Sequence, residues 1–350
     1  MNSHIQNMVS LLCIGSDDVR MVGIWGMAGI RKTTIAEVVY KKIRTQFKGC
    51  CFLSNVREKS QKMDLVDIKK ELLSQIFGEG NLNTGIFNRG INVIKKVLDS
   101  MKVLIVLDDV DHPQQLEDLA GNHNWFGPGS RIIITTRDKH LLDEKVKTYE
   151  VKELNNDKAR MLFCRHAFKY KPPTEDFVQL CDRALNYTKG IPLAIKILGD
   201  LLYTRRKEEW ETQLEKVRRT ANKEIQDVLK ISFDGLDKNQ KSVFLDIACF
   251  FKGQDKDHVT NVLKSCDFFP EIDIPILIER SLITINLDNE VCMHDLIQEM
   301  GWEIVRQESI PGKCSRLWVN EDVIHVLTTN TVRPKLTIAF LFLFLFLFQF

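Results

Sequence analysis

The residues Gly26-Met27-Ala28-Gly29-Ile30-Arg31-Lys32-Thr33-Thr34 have the make-up of a loop that grips phosphate. Gly26, Lys32 and Thr33 fit the spacing G-x-x-x-x-G-K-[ST]. In such a loop, successive backbone N–H groups form a concave nest for phosphate oxygens, and the helix that follows adds its partial positive charge. Lys32 would reach the terminal phosphates. Thr33 would offer its hydroxyl to magnesium, and Thr34 is positioned to donate to phosphate from the same first turn. Arg31 departs from the spacing, which asks for glycine there. Two readings stay open. Backbone angles that glycine tolerates cost other residues roughly 1–2 kcal/mol, so the arginine would strain or reshape the nest and weaken binding. Alternatively, its guanidinium adds charge near the phosphates.

Downstream, Val103-Leu104-Ile105-Val106-Leu107-Asp108-Asp109 reads as a buried strand ending in two carboxylates. A parallel strand presents its C-terminal end to the ligand crevice. Asp108 would hold magnesium through water, and Asp109 would orient or deprotonate an attacking water, which makes these two the candidate catalytic pair. The plainer reading is that both acids cap a turn. Ile132-Ile133-Ile134-Thr135-Thr136-Arg137 is the next such strand. Its terminal Arg137 can read a γ-phosphate through charge-assisted bonds, or else pairs with a neighbour such as Asp138.

The flanks supply elements to position these groups. Between residues 19 and 154, short apolar runs alternate with amphipathic helices, the pattern of a parallel sheet covered on both faces. Expected strands are Met21–Trp25, Cys51–Val56, Val103–Leu107, Arg131–Thr135 and Thr148–Val151. Ile35, Ala36, Val39, Ile43 and Phe47 recur at helical spacing; Leu65, Ile68, Leu72, Leu73 and Ile76 share one helix face, as do Ile91, Ile94, Val97 and Leu98. Past residue 155 helices dominate: Asp157–Phe168, Glu175–Thr188, and Pro192–Tyr203 with proline in its first turn. Arg205 to Arg219 reads as a solvated amphipathic helix around Trp210 and Leu214. Helices at Val228–Phe233, Gln240–Phe251, Asp257–Cys266 and Ile274–Arg280 precede two short strands, Leu282–Ile285 and Val291–Met293. A helix covering Asp295–Gln307, with Asp295 as a good N-cap, follows them. The expected organisation is an α/β P-loop NTPase domain with a parallel sheet (1–154), a helical domain (155–222), a winged-helix domain (223–327) and a hydrophobic tail (328–350).

Composition narrows the function. The 350 residues are 44% hydrophobic and 27% charged, with a formal net charge of +2, so no electrostatic case for nucleic acid arises. Nine cysteines without metal-ligand spacing suggest free thiols in a reducing compartment. Cys292 and His294 lack a second pair to complete a zinc set. The N-terminus has no signal-peptide architecture, and a cytoplasmic location is expected. The tail from Ile338 to Phe350, IAFLFLFLFLFQF, falls short of the about 20 apolar residues that span a membrane. Its strict Leu/Phe alternation suits an aggregation-prone strand or a translated non-coding stretch better than an anchor.

Together these motifs resemble the NB-ARC switch of plant intracellular immune receptors, of the kind with an N-terminal TIR domain and C-terminal leucine-rich repeats. GMAGIRKTT matches the family loop G-M-G-G-I-G-K-T-T, with Ala28 and Arg31 as departures. FLSNVRE (Phe52–Glu58) and the aspartate closing LDDVD (Asp111) are similar to the TIR-type subclass. GSRIIITTRD (Gly129–Asp138), GIPLAIKILG (Gly190–Gly199), FLDIACFF (Phe244–Phe251) and MHDLIQEMG (Met293–Gly301) add to the likeness, which covers residues from about 11 to 330. The resemblance implies an ADP/ATP switch of plant defence that uses magnesium and is at most a weak ATPase. ADP would bridge the α/β and winged-helix domains in a closed state. Pro192 would pack near the adenine, His294 would touch the β-phosphate, and Asp295 would restrain the closed state. Other immune-receptor domains, full-length receptors or further copies of the chain are the implied partners; no nucleic acid or membrane is expected. With no TIR domain or repeats in its sequence, the chain resembles an isolated, truncated switch module. A nucleotide-incompetent partner of full-length receptors is the alternative, and a winged-helix DNA-binding regulator is disfavoured by the near-neutral charge.

Overall fold

Parallel pairing of five short strands builds one sheet in the order β2-β3-β4-β1-β5. They are β1 (Arg20–Trp25), β2 (Gly49–Leu53), β3 (Val103–Val110), β4 (Arg131–Thr136) and β5 (Val146–Glu150). The computed structural model describes residues 2–78, 98–121, 123–169, 173–219, 222–307 and 316. The helix expected around Ile91–Leu98 therefore lies almost wholly outside the described residues, and the Phe/Leu tail entirely so. Contacts divide the chain into two units, Met1–Lys152 and Glu153–Phe350.

In the first unit, β4 is buried along its whole length and β3 along nearly all of it, which is why both read as unbroken apolar runs. Helices α1 (Asn2–Leu12), α2 (Lys32–Ile43), α3 (Val56–Lys62), α4 (Leu65–Phe77) and α5 (Pro113–Ala120) surround the sheet. Ile68, Leu72, Leu73 and Ile76 of α4 join Val103, Ile105 and Leu107 of β3 in one core cluster. Because all five strands run the same way, the C-terminal ends of β1, β3 and β4 emerge at one edge. Strand β4 lies between β1 and β3, so its end emerges between the strand that leads into the phosphate loop and the strand that carries the paired aspartates.

Several expected strand ends move by one to three residues, and two of the shifts bear on the site. β2 stops at Leu53, since Asn55 turns left-handed (φ 52°) and Val56 opens α3. Asparagine tolerates that region better than most residues. β3 runs on to Val110, with its register to β4 shifting between Leu107 and Val110. This irregularity holds Asp108 and Asp109, the latter at φ 58°. Such a bulge re-aims side chains at a strand end.

Arg131 opens β4 as a charged residue only 1% exposed. Its guanidinium donates to the carbonyls of Leu12 (2.5 Å), Cys13 (2.8 Å), Ser16 (2.9 Å) and Asp18 (2.5 Å). The C-terminal end of α1 and the turn after it thus converge on one buried cation, the favourable sign for a helix C-terminus.

The second unit starts with α6 (Asn156–Ala167), α7 (Glu175–Thr188), α8 (Pro192–Leu202) and α9 (Lys207–Arg219). Trp210, Phe163, Phe168 and Phe177 form its aromatic centre, with ring centroids 5.0–5.8 Å apart around the indole. Lys189 (φ 46°) and Gly190 (φ 80°) turn the chain from α7 to α8. A Cβ on Gly190 would sit 2.5 Å from the Leu154 carbonyl oxygen, so only glycine fits there.

The chain continues through α10 (Lys223–Asp234), α11 (Lys238–Asp246), α12 (Lys256–Ser265), α13 (Pro270–Glu279), the antiparallel pair β6 (Thr284–Ile285) and β7 (Val291–Cys292), and α14 (Asp295–Gln307). Helices followed by a hairpin make the expected winged helix. The helix expected over Gln240–Phe251 is not continuous: α11 gives way to a wider π turn at Ile247–Phe251. The carbonyl of Ala248 in this turn accepts from Gln298 Nε2 and Trp302 Nε1 of α14, both at 2.9 Å. Those side chains account for the turn, because a π bulge frees carbonyls that need outside donors.

Removing the Arg131 cation strands the buried Leu12 carbonyl and takes a donor from the part-buried carbonyls of Cys13, Ser16 and Asp18. Arg131→Met is expected to lower stability by about 3 kcal/mol, read as a fall in the urea midpoint at unchanged m-value. A change under about 1 kcal/mol would show that the carbonyls find other donors.

Candidate functional site

Between β1 and α2 the chain turns through Gly26 (φ 142°), Gly29 (φ 75°) and Arg31 (φ 78°, ψ 30°). Positive φ at these positions curls the backbone sharply ahead of α2, a type of turn whose N–H groups suit an anion at a helix start. Gly26 cannot carry a side chain, since its Cβ would stand 2.9 Å from the Val151 carbonyl oxygen. Met27, Ala28 and Ile30 are buried beneath the loop. Arg31 occupies the N-cap position of α2 in the left-handed region that the usual glycine would adopt. The loop therefore keeps its conformation despite the arginine, and the cost resides in backbone strain of roughly 1–2 kcal/mol.

Lys32 is 7% exposed, and its ammonium donates to the carbonyls of Gly26 (2.7 Å) and Met27 (2.8 Å). Burial pushes its pKa down to about 7, with the Arg137 charge adding to the effect and Asp109 and Asp108 opposing it. An incoming phosphate would give this ammonium a full counter-charge in place of two carbonyl dipoles.

Asp108 is 1% exposed and ties three elements together. Its Oδ1 accepts from Thr33 Oγ1 of α2 and from Thr135 Oγ1 of β4, each at 2.7 Å. Its Oδ2 is buried with no hydrogen-bond partner. An orphaned carboxylate oxygen beside a threonine hydroxyl is an oxygen donor set suited to a hard divalent cation, so Thr33 and Asp108 fit magnesium. Thr34 is exposed in the first turn of α2.

Asp109 is arranged differently. Arg57 Nε meets its Oδ2 at 2.9 Å, and Arg137 Nη2 meets its Oδ1 at 3.1 Å. Its backbone N–H donates to Thr135 Oγ1 at 2.9 Å. Arg137 thus pairs with Asp109, across the sheet edge, and not with the adjacent Asp138 considered from the sequence. Burial depresses the Arg137 pKa, and the Asp109 carboxylate counters that.

Pro192 and His294 belong to the second unit. Pro192 is buried at the first position of α8. His294 Nε2 faces the Lys189 carbonyl oxygen at 3.3 Å, and its Nδ1 accepts from Leu296 N at 3.1 Å. The proton is therefore assigned to Nε2. Burial lowers the His294 pKa, outweighing the Lys189 carbonyl, Glu153 and Asp295, which favour the cation. His294, not Asp295, caps α14: its carbonyl accepts from Ile297 and Gln298, and its ring accepts from the first turn. Asp295 instead reaches two lysines, Lys252 Nζ at 2.5 Å and Lys189 Nζ at 3.3 Å. Burial raises its pKa, but both ammonium groups hold it below the usual carboxylate range.

Family models match on both sides of this arrangement. One described as "NB-ARC domain" matches residues 1–172, and one described as "Disease resistance protein Roq1-like, winged-helix domain" matches residues 237–309. The chain belongs to the NB-ARC family. Disease resistance protein RUN1 of Vitis rotundifolia is 47% identical to it over 332 residues, covering 93% of this chain and 25% of that protein. TMV resistance protein N of Nicotiana glutinosa is 43% identical over 338 residues, covering 94% of this chain and 29% of that protein. The chain thus spans about a quarter of the length of the curated relatives it matches. A Walker-type ATPase of Pyrococcus abyssi has the same P-loop NTPase fold, with a TM-score of 0.58 at 12% identity over 86% of this chain and 95% of that one. No helix among the described residues is long and apolar enough to cross a membrane.

Reading the NB-ARC sequence alone misses Arg57, Thr135, Lys189 and Lys252. Thr135 is visible in the sequence as a strand residue two positions before Arg137. Arg57 sits just after a left-handed asparagine, and nothing in its spacing from Asp109, far along the chain, indicates the pair.

Two outcomes test the loop. Arg31→Gly should raise stability by about 0.5–1 kcal/mol, the relief of left-handed strain less the added entropy of glycine, read from urea midpoints. A loss of stability would mean the guanidinium's contacts outweigh the strain. Phosphate binding should return the Lys32 pKa to a high value, so at pH 8 binding takes up a proton and affinity falls as pH rises above about 7. Calorimetry in buffers of different ionisation enthalpy reads that uptake; buffer-independent heats would exclude it.

Proposed function

We propose that this chain is an adenine-nucleotide-binding conformational switch of plant immune signalling. In this reading an ADP-bound restrained state exchanges for an ATP-bound active state, and hydrolysis is slow. The observation that carries it is the Asp108 carboxylate, held by Thr33 and Thr135 with one oxygen buried and unpaired, and within electrostatic reach of the Lys32 ammonium. No arrangement of a merely structural loop needs that combination. Residues Gly26 to Thr34 would hold the phosphates and Pro192 would pack against the base. Lys32 would move its donors from the Gly26 and Met27 carbonyls to phosphate oxygens. Thr33 and Asp108 would hold magnesium, which when bound neutralises phosphate charge.

Arg137 has a choice of partners. Its bond to Asp109 has to be surrendered before it can read a third phosphate, and Arg57 can keep Asp109 neutralised when that happens. A carboxylate accepting from two arginines is a poor base for water, which supports at most weak ATPase activity. His294, neutral with its proton on Nε2, is suited to donate to a β-phosphate oxygen. Asp295 would restrain the resting state through Lys252 and Lys189. The named resistance proteins among the relatives support a role in defence, with other receptor domains, full-length receptors or further copies of this chain as partners in the cytoplasm.

Nucleotide released from purified protein by acid and separated by chromatography tests the reading. ADP at near-stoichiometric amounts is expected, lost in Lys32→Ala. No released nucleotide, and no heat with ADP or ATP, would leave the second reading, an interaction partner that Arg31 has made nucleotide-incompetent. Asp295→Val should raise the ATP share of bound nucleotide several-fold while changing stability by under about 1 kcal/mol, because its ion pairs are half exposed. An unchanged ADP share would remove Asp295 from the switch.

A further inference from the structure

The winged-helix part of the second unit contains a cavity of about 560 Å³ between α10, α11 and α14. Lys230, Lys238, Lys241 and Arg316 line it with positive charge, against the single acid Asp234. Its apolar wall is made by Phe233, Leu245 and Ile304.

These cations are not equivalent. Arg316 is spent on structure: its Nε meets Asp246 Oδ1 at 2.5 Å and its Nη2 donates to the Ser242 carbonyl at 2.9 Å. Asp246 is 2% exposed, and burial raises its pKa against the pull of that guanidinium. The pair is close to neutral and gives the cavity one fixed wall. Lys241 extends over the Phe233 ring, with Nζ 5.6 Å from its centroid, and donates to the Asp234 carbonyl at 3.0 Å. Lys230 and Lys238 make no ion pair or side-chain hydrogen bond among the described residues. Three ammonium groups therefore share one concavity with one carboxylate, an arrangement that repels itself in the absence of a counter-anion.

We propose that this cavity binds a small polyanion, a compact molecule carrying two or more phosphate groups, separately from the phosphate loop. Charge selects an anion. The volume falls in the range that encloses one small molecule, and is too little for a folded partner or for duplex nucleic acid, which would need an extended basic face. Lysines act as point charges that suit phosphate oxygens approached from several directions. A ligand held by Lys230 on α10 and by Lys238 and Lys241 on α11 would join these two helices, adding to the Lys241–Asp234 hydrogen bond and the Phe233–Phe244 ring contact, and so would stiffen this part of the second unit.

Titration calorimetry of the full chain with inorganic tripolyphosphate and with inositol hexakisphosphate tests this. Binding is expected in Lys32→Ala, where the loop site is disabled, and it should weaken at least tenfold in Lys230→Glu/Lys238→Glu. The milder Lys230→Gln/Lys238→Gln pair, which is safer for folding, should weaken it at least threefold. Affinity should fall steeply between about 50 and about 200 mM salt, because the Debye length shortens from above about 10 Å to below about 8 Å across that range. Vesicles bearing a phosphoinositide headgroup separate a lipid source from a soluble one: binding of either source that depends on both lysines supports the site. No binding in Lys32→Ala, or equal binding by the lysine variants, would overturn it. So would tighter, lysine-dependent binding of a glutamate-rich peptide or of duplex DNA. Because each outcome is read in Lys32→Ala, it is independent of whether the loop takes ADP.

Discussion

Asp108 is the point on which the first unit's chemistry turns. Its Oδ1 accepts two hydroxyls, one from the first turn of α2 and one from the end of β4, so the phosphate loop and two strands share a single buried acceptor. A carboxylate 1% exposed is costly unless its charge is compensated, and two neutral hydroxyls on one oxygen compensate it only in part. Lys32, itself nearly buried, supplies part of the rest through space. Both groups are thus held in environments that favour an additional binding partner: a cation at Asp108 Oδ2 and an anion at the Lys32 ammonium. The topology makes this possible. With β4 inserted between β1 and β3, Thr135 stands at the seam and bonds to both aspartates, donating to Asp108 and accepting from the backbone of Asp109.

Arg31 shows how a departure from a motif can leave geometry intact. Left-handed backbone is closed to arginine only by energy, and the surrounding loop fixes that conformation from both sides. Gly26 abuts the Val151 carbonyl, Met27 and Ile30 are packed beneath, and Lys32 clasps two loop carbonyls. A few buried contacts and two charge-assisted hydrogen bonds are worth more than the roughly 1–2 kcal/mol of strain. The consequence falls on stability of the empty loop before it falls on the shape of the nest. Steric blockage of phosphate and backbone strain are separate effects, and the sequence alone merges them.

Much of this was legible in residue order, for physical reasons that differ by element. β3 and β4 could be read because strands buried on both faces are uninterrupted apolar runs. The ends of α7 and α14 could be read because helices stop and start at a small set of residues, and the helix over Asp295–Gln307 has the bounds expected of it. What stayed hidden was set by tertiary contact. Val56 has strand character but follows a left-handed Asn55, so it opens a helix. The π turn at Ile247–Phe251 depends on donors from Gln298 and Trp302, far along the chain. Asp295 looked like the better cap than His294 because aspartate caps are common, whereas the imidazole ring does that work only when a carbonyl such as that of Lys189 fixes its tautomer. The second arginine on Asp109 left no trace in spacing at all.

The same device recurs in each unit. In the first, Asp109 holds Arg137, and in the second, Asp295 holds Lys189 and Lys252; in both cases a carboxylate occupies cations that a phosphate could otherwise claim. Such pairs are partly exposed, so each contributes only modestly to stability. In the switch proposed above, their effect on a two-state equilibrium would nonetheless be considerable. A ligand shifts populations only by its differential affinity, and every cation already neutralised in one state lowers what the ligand gains there. Freeing Arg137 costs less than it would in a lone pair, because Arg57 stays on Asp109 and no carboxylate is left uncompensated. Asp295 has the same redundancy in its two lysines. Paired cations around each acid therefore allow one partner to leave at low energy, which is what an element with two arrangements of similar stability requires and a rigid scaffold does not.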